Sequence, residues 1–130
     1  MKEKIKVLIV GLGKIGMLYD LDKNTDDFFL SHTKSFLNHK DFELIGAVEP
    51  ENQKRTIFDT KYKKKSFKNL SEGLKVTFPE LVVISSPTEF HYSNLLEIVE
   101  FNSVKVILCE KPLSYDEGEA KNMINLCKLK

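Results

Sequence analysis

The chain has 130 residues, of which 42% are hydrophobic and 30% are charged, and its formal net charge is +1. This composition is typical of one globular domain and excludes a disordered, collagen-like or disulfide-rich protein. A net charge so close to zero creates no overall field that would recruit nucleic acid or an anionic membrane, so we expect neither as a partner.

The cysteine content and the apolar runs indicate a cytoplasmic protein without a metal site. Cys109 and Cys127 are too few for a disulfide framework or for a zinc site with paired ligands. No stretch reaches the roughly 18 apolar residues of a membrane span. A local basic run is expected to be a solvated face, with nucleic acid binding as a remote alternative. It comprises Lys61, Lys63, Lys64, Lys65 and Lys68.

Short apolar runs predict strands that are buried on both faces, as in a parallel sheet. They occupy residues 5–10, 42–48, 81–84 and 104–109. A fifth, very short edge strand is expected at residues 64–67. The first of these runs is rich in β-branched residues and ends at Gly11.

Helical patterns separate these strands. Ser31 is the expected N-cap of the first helix, and Thr88 of the helix that contains Leu95 and Ile98. The predicted helices cover residues 31–38, residues 52–59, a segment from about 70, residues 88–101 and an amphipathic tail at 114–129. The alternation predicts an α/β fold with a doubly wound parallel sheet, a Rossmann fold, as one domain over residues 1–130. Residues 20–30 form an inserted loop, of a length that is often functional or mobile.

The segment GLGKIG, residues 11–16, follows the first strand directly and is expected to open a helix. In a dinucleotide fingerprint, Gly11 would allow the tight turn, Gly13 would let the backbone approach a pyrophosphate, and Gly16 would allow close helix packing. The helix N-terminus would add amides and partial positive charge. The alternative is a glycine turn that merely joins strand to helix.

Glu49 ends the second strand, where an acidic side chain can accept both ribose hydroxyls of an adenosine. This predicts NAD, because a 2′-phosphate would be repelled by the carboxylate. Lys54 and Arg55 could offset that repulsion, so NADP is not excluded. Glu49 lies further from the glycines than usual, and the insertion at 20–30 accounts for the excess. The alternative is a glutamate that merely starts a helix beside Pro50.

The chain resembles the N-terminal domain of the glucose-fructose oxidoreductase and inositol dehydrogenase (Gfo/Idh/MocA) family. The resemblance covers essentially all 130 residues and rests on GLGKIG, LIGAVEPENQKR, LVVISSPTEFHYSNLLEIVE and VKVILCEKPL in this order. Glu110-Lys111-Pro112, with Pro87 and His91, contributes most. The family implies reversible hydride transfer between NAD(P) and a sugar or cyclitol carbon. It also implies a C-terminal substrate domain, which would lie beyond Lys130, and a homo-oligomer for the full-length protein.

The resemblance also implies a set of cofactor contacts. Gly11, Gly13, Lys14 and Ile15, with Gly16, would form the pyrophosphate turn, and Glu49 would contact the adenosine ribose. Ser85, Ser86, Pro87 and His91 would contact the middle of the cofactor, and Glu110 and Lys111 would flank the nicotinamide. Glu49 departs from the more frequent Asp, which leaves NAD favoured and NADP not excluded.

Lys111 is the one expected catalytic residue, and the case for it is partly independent of the family. It lies at the carboxyl end of a predicted parallel strand, where Pro112 restricts the backbone that follows. An ammonium group there can hydrogen-bond the reacting hydroxyl or carbonyl oxygen and stabilise the charge that develops on it. The alternative is a surface lysine before a helix-starting proline.

Each of the remaining candidate residues could instead have a purely structural role. His91 is expected either to contact the cofactor or to be a capping or packing residue. His32 and His39 carry the same alternatives, although the family often places a histidine of the His32 helix near the cleft. Cys109 is expected to be a small core residue.

The sequence therefore predicts the NAD-binding domain of an oxidoreductase acting on a sugar, cyclitol or similar polyol, and we expect a fragment of this length to be nearly inactive. One rival is a dinucleotide-sensing regulatory module without catalysis, in which Lys111→Ala would leave NAD affinity and partner binding unchanged. A methyltransferase-like domain ranks below both, because no candidate methyl-acceptor pocket is visible.

Overall fold

The computed structural model describes residues 2–23 and 28–129. Five strands form one parallel sheet in the order β3-β2-β1-β4-β5. The strands are β1 (Ile5–Val10), β2 (Phe42–Val48), β3 (Lys65–Phe67), β4 (Leu81–Ile84) and β5 (Val106–Cys109). The helices are α1 (His32–Asn38), α2 (Asn52–Tyr62), α3 (Leu70–Thr77), α4 (His91–Ile98) and α5 (Glu117–Lys128). The doubly wound prediction is confirmed.

The sheet has a hydrophobic core on each face. Leu8, Val10 and Val82 point to one face, where they pack with residues of α3, α4 and α5. Ile9 and Val83 point to the other face, where they pack with residues of α1 and α2. Because β1 and β4 contribute to both cores, the last four residues of β1 and all of β4 are buried, which is why these segments are continuous apolar runs.

The prediction that the glycine turn opens an α-helix is wrong. After β1 the chain forms irregular turns and then a 3-10 helix at Leu18–Asp20. The carbonyl oxygen of Gly13 accepts hydrogen bonds from the amides of both Met17 and Leu18, at 2.9 and 3.0 Å. The carbonyl oxygens of Ile15 and Gly16 accept from the start of α1. With these acceptors engaged by α1, the turn does not continue as an α-helix.

The ends of the inserted loop are joined by Asp20, although residues 24–27 lie outside the described residues. The Asp20 carboxylate accepts hydrogen bonds from the amides of Leu30 and Ser31, at 2.7 and 3.0 Å. Burial alone would raise the pKa of Asp20, but the bonds from Ser31 and Leu30 and the charge of Lys34 outweigh it and lower the pKa. Asp20 therefore binds the main chain of the two residues that precede α1.

Smaller predictions had mixed outcomes. Ser31 caps α1, as expected, because its side chain accepts from the amide of Lys34. Thr88 caps nothing with its side chain and instead begins a 3-10 turn, Thr88–Phe90, that leads into α4. β5 begins at Val106 and not at Val104 as predicted, because the Val104 amide still bonds to the turn after α4. In the described residues, no helix is long and apolar enough to cross a bilayer.

Candidate functional site

The carboxyl ends of the strands open into a cleft of about 880 Å³, which we call the edge cleft. It lies where the strand order reverses between β1 and β4, the place where open α/β sheets bind ligands. The edge cleft brings together half of the predicted cofactor residues, namely Gly11, Gly13, Glu49, Ser85, Ser86 and Pro87. The other half, Lys14, Ile15, Gly16, His91, Glu110 and Lys111, does not line it.

Two glycines make the turn after β1 possible. Gly11 has a φ of +102°, and a Cβ there would lie 2.4 Å from the amide nitrogen of Ser86. A Cβ on Gly16 would lie 2.1 Å from the carbonyl oxygen of Gly11. No side chain fits at either position. Gly11 thus allows the tight turn against the end of β4, whereas Gly16 allows the turn to close on Gly11 and not, as predicted, a helix to pack on the strand.

Gly13 differs from both, because a Cβ there would meet nothing within 4 Å. Its backbone therefore faces open space in the edge cleft. In the described part of the chain, the amides of Gly13, Lys14 and Ile15 donate to no protein acceptor. Open space beside unpaired amides fits a pyrophosphate, which such a turn binds through backbone N–H groups. Since no α-helix begins here, these amides would act without a helix dipole.

Glu49 is buried beside the glycine turn in the wall of the edge cleft, and its carboxylate already has two partners. One oxygen accepts from the amide of Leu12 and the other from the amide of Glu51, both at 2.9 Å. Each carboxylate oxygen has a further lone pair to offer a ribose hydroxyl. Glu49 thus links the glycine turn to the end of β2 and can still bind ligand.

The two basic residues after Glu49 are engaged nearby. The Arg55 guanidinium donates to the carbonyl oxygens of Glu49 and Pro50, at 2.8 and 2.7 Å. Lys54 lines the edge cleft and pairs with Glu51 at 3.0 Å. Arg55 is therefore held on the backbone, while Lys54 and Lys68 are cations of the cleft wall that could approach a 2′-phosphate.

The β4 loop, residues 85–87, is fastened to its surroundings by its serines. The buried Ser85 hydroxyl donates to the carbonyl oxygen of Gly11 at 2.8 Å. The Ser86 hydroxyl donates to the side-chain oxygen of Asn94 at 2.6 Å. Ser85 thus holds β4 to the glycine turn, while Ser86 and Pro87 form cleft wall.

His91 is not in the cleft wall, which changes its expected role. Its side chain is only 1% exposed. Nε2 lies 2.8 Å from the carbonyl oxygen of Ser86, and Nδ1 lies 3.0 Å from that of Pro112. With both ring nitrogens facing main-chain oxygens, the expected direct contact with a cofactor gives way to a position beneath the cleft.

The β5 loop, residues 110–113, lies at the same edge of the sheet but outside the edge cleft. The Glu110 carboxylate contacts Nε2 of His32 at 2.7 Å, so His32 lies beside the β5 loop, while its predicted approach to the cofactor stays a prediction. Lys111 and Pro112 are exposed, and a cis peptide bond joins them. The Lys111 side chain is therefore open to solvent at the expected end of β5.

The other candidates have structural roles. Burial, and then Glu110 and Cys127, raise the pKa of the Cys109 thiol to about 11, which leaves it protonated and unreactive at neutral pH. His39 packs edge-on against Phe42 and accepts from the Asp41 amide, away from the cleft.

In the part of the chain that the structure describes, no group of three acidic, histidine or cysteine side chains could hold a metal ion.

Sequence reasoning missed part of the cleft wall. The missed residues come from the start of α3 and from α4, and they are Lys68, Asn69, Leu70, Ser71, Phe90, Asn94 and Glu97. Asn94 and Glu97 lie three residues apart on α4, so a helical projection from Phe90 could have placed all three on one face. The α3 contribution had no local signal, because it depends on the position of β3 at the sheet edge.

Sequence comparison identifies relatives along the whole chain. Residues 5–130 match the GFO_IDH_MocA family, described as "Oxidoreductase family, NAD-binding Rossmann fold". An uncharacterized oxidoreductase of Schizosaccharomyces pombe is 32% identical over 131 residues, which cover 97% of this chain and 31% of that protein.

Solved structures share the fold. The WlbA dehydrogenase from Bordetella pertussis, in complex with NADH and UDP-GlcNAcA, has a TM-score of 0.78 at 18% identity, covering 98% of this chain and 35% of that chain. The myo-inositol 2-dehydrogenase from Lactobacillus plantarum has a TM-score of 0.78 at 19% identity, covering 98% and 34%. This chain spans about a third of the length of these relatives.

Proposed function

The chain belongs to the Gfo/Idh/MocA oxidoreductase family as an NAD-binding Rossmann domain, and we propose that it serves hydride transfer between NAD and a CH–OH carbon of a sugar, cyclitol or related polyol. One observation carries this proposal. Gly13 offers open space and unpaired amides beside the buried carboxylate of Glu49, and Lys111 lies at the same edge of the sheet.

The adenosine half of the cofactor would occupy the edge cleft. Its pyrophosphate would lie over Gly13, and its ribose hydroxyls would donate to the free lone pairs of Glu49. Phe90, half exposed in the cleft wall, offers an apolar ring face for the adenine. The nicotinamide half would extend past the β4 loop toward Glu110 and Lys111.

The proposal favours NAD over NADP because of Glu49. A 2′-phosphate at about 4 Å from this carboxylate would be repelled by about 4 kcal/mol per charge pair at an effective dielectric near 20. Lys54 could reduce that repulsion, whereas Arg55 is already held by the carbonyls of Glu49 and Pro50. We therefore expect measurable but weaker NADP binding.

The substrate class rests on the relatives. The names of two structural relatives specify NADH with a nucleotide sugar and a myo-inositol dehydrogenase, which supports a hydroxylated carbon as the reacting group. The exposed Lys111 ammonium would hydrogen-bond the reacting oxygen and stabilise its developing charge. In this proposal a second domain, as implied by the family, covers Lys111 and selects the substrate.

Calorimetric titration of the 130-residue chain with NAD⁺, NADP⁺ and S-adenosylmethionine tests the cofactor assignment. We expect NAD⁺ to bind most tightly, NADP⁺ more weakly and S-adenosylmethionine not at all. Tightest binding of S-adenosylmethionine would favour a methyltransferase-like domain. No binding by any of the three, in a chain that is folded by circular dichroism, would contradict the cofactor proposal.

The variant Lys111→Met tests whether the protein catalyses hydride transfer or only senses the dinucleotide. Methionine keeps most of the length of the side chain but removes the charge. In the full-length protein assayed with a polyol panel, we expect turnover to fall by at least about a hundredfold, equivalent to about 2.7 kcal/mol of transition-state stabilisation. A full-length protein that binds NAD⁺ but turns over no polyol before or after the change would support the dinucleotide sensor instead.

A further inference from the structure

We propose that His91 is a positioning residue that joins the β4 loop to the β5 loop and thereby sets where Lys111 stands relative to the bound cofactor. The inference rests on the proposed function for its consequence, but its structural part can be tested without a cofactor. His91 is the first residue of α4 and is almost completely buried between the two loops.

The two loops have few other links near Lys111. The pairing of β4 with β5 continues as far as the amide of Glu110, which donates to the carbonyl oxygen of Ile84 at 2.9 Å. Beyond Glu110, the next contact to β5-loop backbone is made by His91, whose Nδ1 lies 3.0 Å from the oxygen of Pro112 and 3.2 Å from that of Leu113.

The opposite side of the ring reaches the β4 loop. Nε2 lies 2.8 Å from the carbonyl oxygen of Ser86, a residue of the edge-cleft wall. A carbonyl oxygen only accepts hydrogen bonds, so the ring must donate at both ends for both links to form. The geometry thus places three main-chain carbonyl oxygens around the two ring nitrogens, two at Nδ1 and one at Nε2.

No ionised group competes for the ring within the described residues. The titratable side chain in contact with it is Cys109, whose sulfur lies 3.6 Å from Nδ1. Burial raises the pKa of that thiol to about 11, so it is uncharged at neutral pH. The carboxylate of Glu110 is engaged by His32. The partners of the two ring nitrogens are therefore main-chain oxygens of the two loops.

Because His91 links the two loops, it would influence the two ends of the cofactor separately. Ser86 and Pro87 line the edge cleft, where the adenosine half would bind. Pro112 and Leu113 follow Lys111, toward which the nicotinamide half would extend. Glutamine and asparagine can each replace one half of the ring. The amide nitrogen of a glutamine at this position would stand near the former Nε2, and that of an asparagine near the former Nδ1.

The test compares His91→Gln, which keeps the donor to Ser86, with His91→Asn, which keeps the donor to the β5 loop. His39→Gln is the matched control, because His39 lies away from the cleft. Amide hydrogen exchange should rise at Glu110 in His91→Gln and at Phe90 in His91→Asn, because these amides are hydrogen-bonded at the β5 loop and after the β4 loop. If both variants release both loops, or neither does, the bridge is refuted.

Ligand titration reports the functional consequence. His91→Gln should weaken NAD⁺ binding by about tenfold, as expected for one lost charge-assisted hydrogen bond, and change ADP-ribose binding less than about twofold. His91→Asn should weaken both ligands by the same factor. Equal losses of both ligands in both variants would overturn the positioning role.

A measurement on the unmodified chain covers the case in which the variants do not fold. In ¹⁵N nuclear magnetic resonance of the histidine rings, the bridge requires both nitrogens of His91 to carry protons, because both face carbonyl oxygens. A ring with one unprotonated nitrogen would overturn the two-sided bridge. If the unmodified chain binds neither NAD⁺ nor ADP-ribose, the proposed function fails, whereas the exchange and ring measurements still decide on the bridge.

Discussion

Gly13→Ala should separate cofactor binding from folding, because the structure gives the new methyl group space in the free protein. A Cβ at Gly13 meets no atom within 4 Å, and its backbone has no positive φ that only glycine favours. The substitution also reduces the freedom of the unfolded chain. We therefore expect the free energy of unfolding to stay equal or to rise by about 0.4–1 kcal/mol.

Binding should respond in the opposite direction. A phosphate oxygen that accepts from the turn amides must come to about 2.9 Å from a backbone nitrogen, and the added methyl group would project into that space. Loss of one such charge-assisted hydrogen bond costs about 1.5–3 kcal/mol, so NAD⁺ affinity should fall by about 10- to 150-fold.

The assay pairs calorimetric titration with urea unfolding, and Gly11→Ala is the contrasting variant. At Gly11 the backbone has a φ of +102° and a Cβ would collide with Ser86, so that change should destabilise the fold itself. If Gly13→Ala binds NAD⁺ as tightly as the unmodified chain, the pyrophosphate does not lie over Gly13. A loss of stability as large as that of Gly11→Ala would refute the open-space argument.

Three further changes test the surrounding contacts. Glu49→Gln places an amide group opposite a backbone donor, so urea unfolding should show a loss of about 1.5–3 kcal/mol together with weaker NAD⁺ binding. Unchanged stability would mean that its two main-chain bonds contribute little. Asp20→Ala leaves two amides without their acceptor and should destabilise by about 2 kcal/mol at neutral pH. Because the folded-state pKa of Asp20 lies below its ordinary value of 3.8, this stabilisation is present above that value and is lost as the pH falls through the folded-state pKa. Unfolding curves of both proteins should therefore converge in strong acid, and a constant difference would contradict the assignment. His32→Ala should change the free energy of unfolding by less than about 1 kcal/mol, since the pair with Glu110 is partly exposed. A loss above about 2 kcal/mol would show that this pair is a structural requirement.

The sequence by itself determined the sheet, the glycine turn and the acid beside it. The strands Phe42–Val48 and Leu81–Ile84 begin and end at the predicted bounds, because apolar residues fill the buried positions of parallel strands. Gly11 and Glu49 were predictable for the same reason, since each directly follows a buried strand and the carboxyl ends of parallel strands meet at one edge.

Only the tertiary structure determined which residues at that edge of the sheet contact one another. His91 lies 21 residues from Pro112 in the chain, and His32 lies 78 residues from Glu110, yet each pair is in contact. The turn after Gly13 also depends on a distant partner, because α1 takes the carbonyl oxygens that a helix would have used. Local patterns report burial and turn chemistry over a few residues. Which of several buried polar groups become partners depends on how the sheet and helices pack, and that is a property of the whole fold.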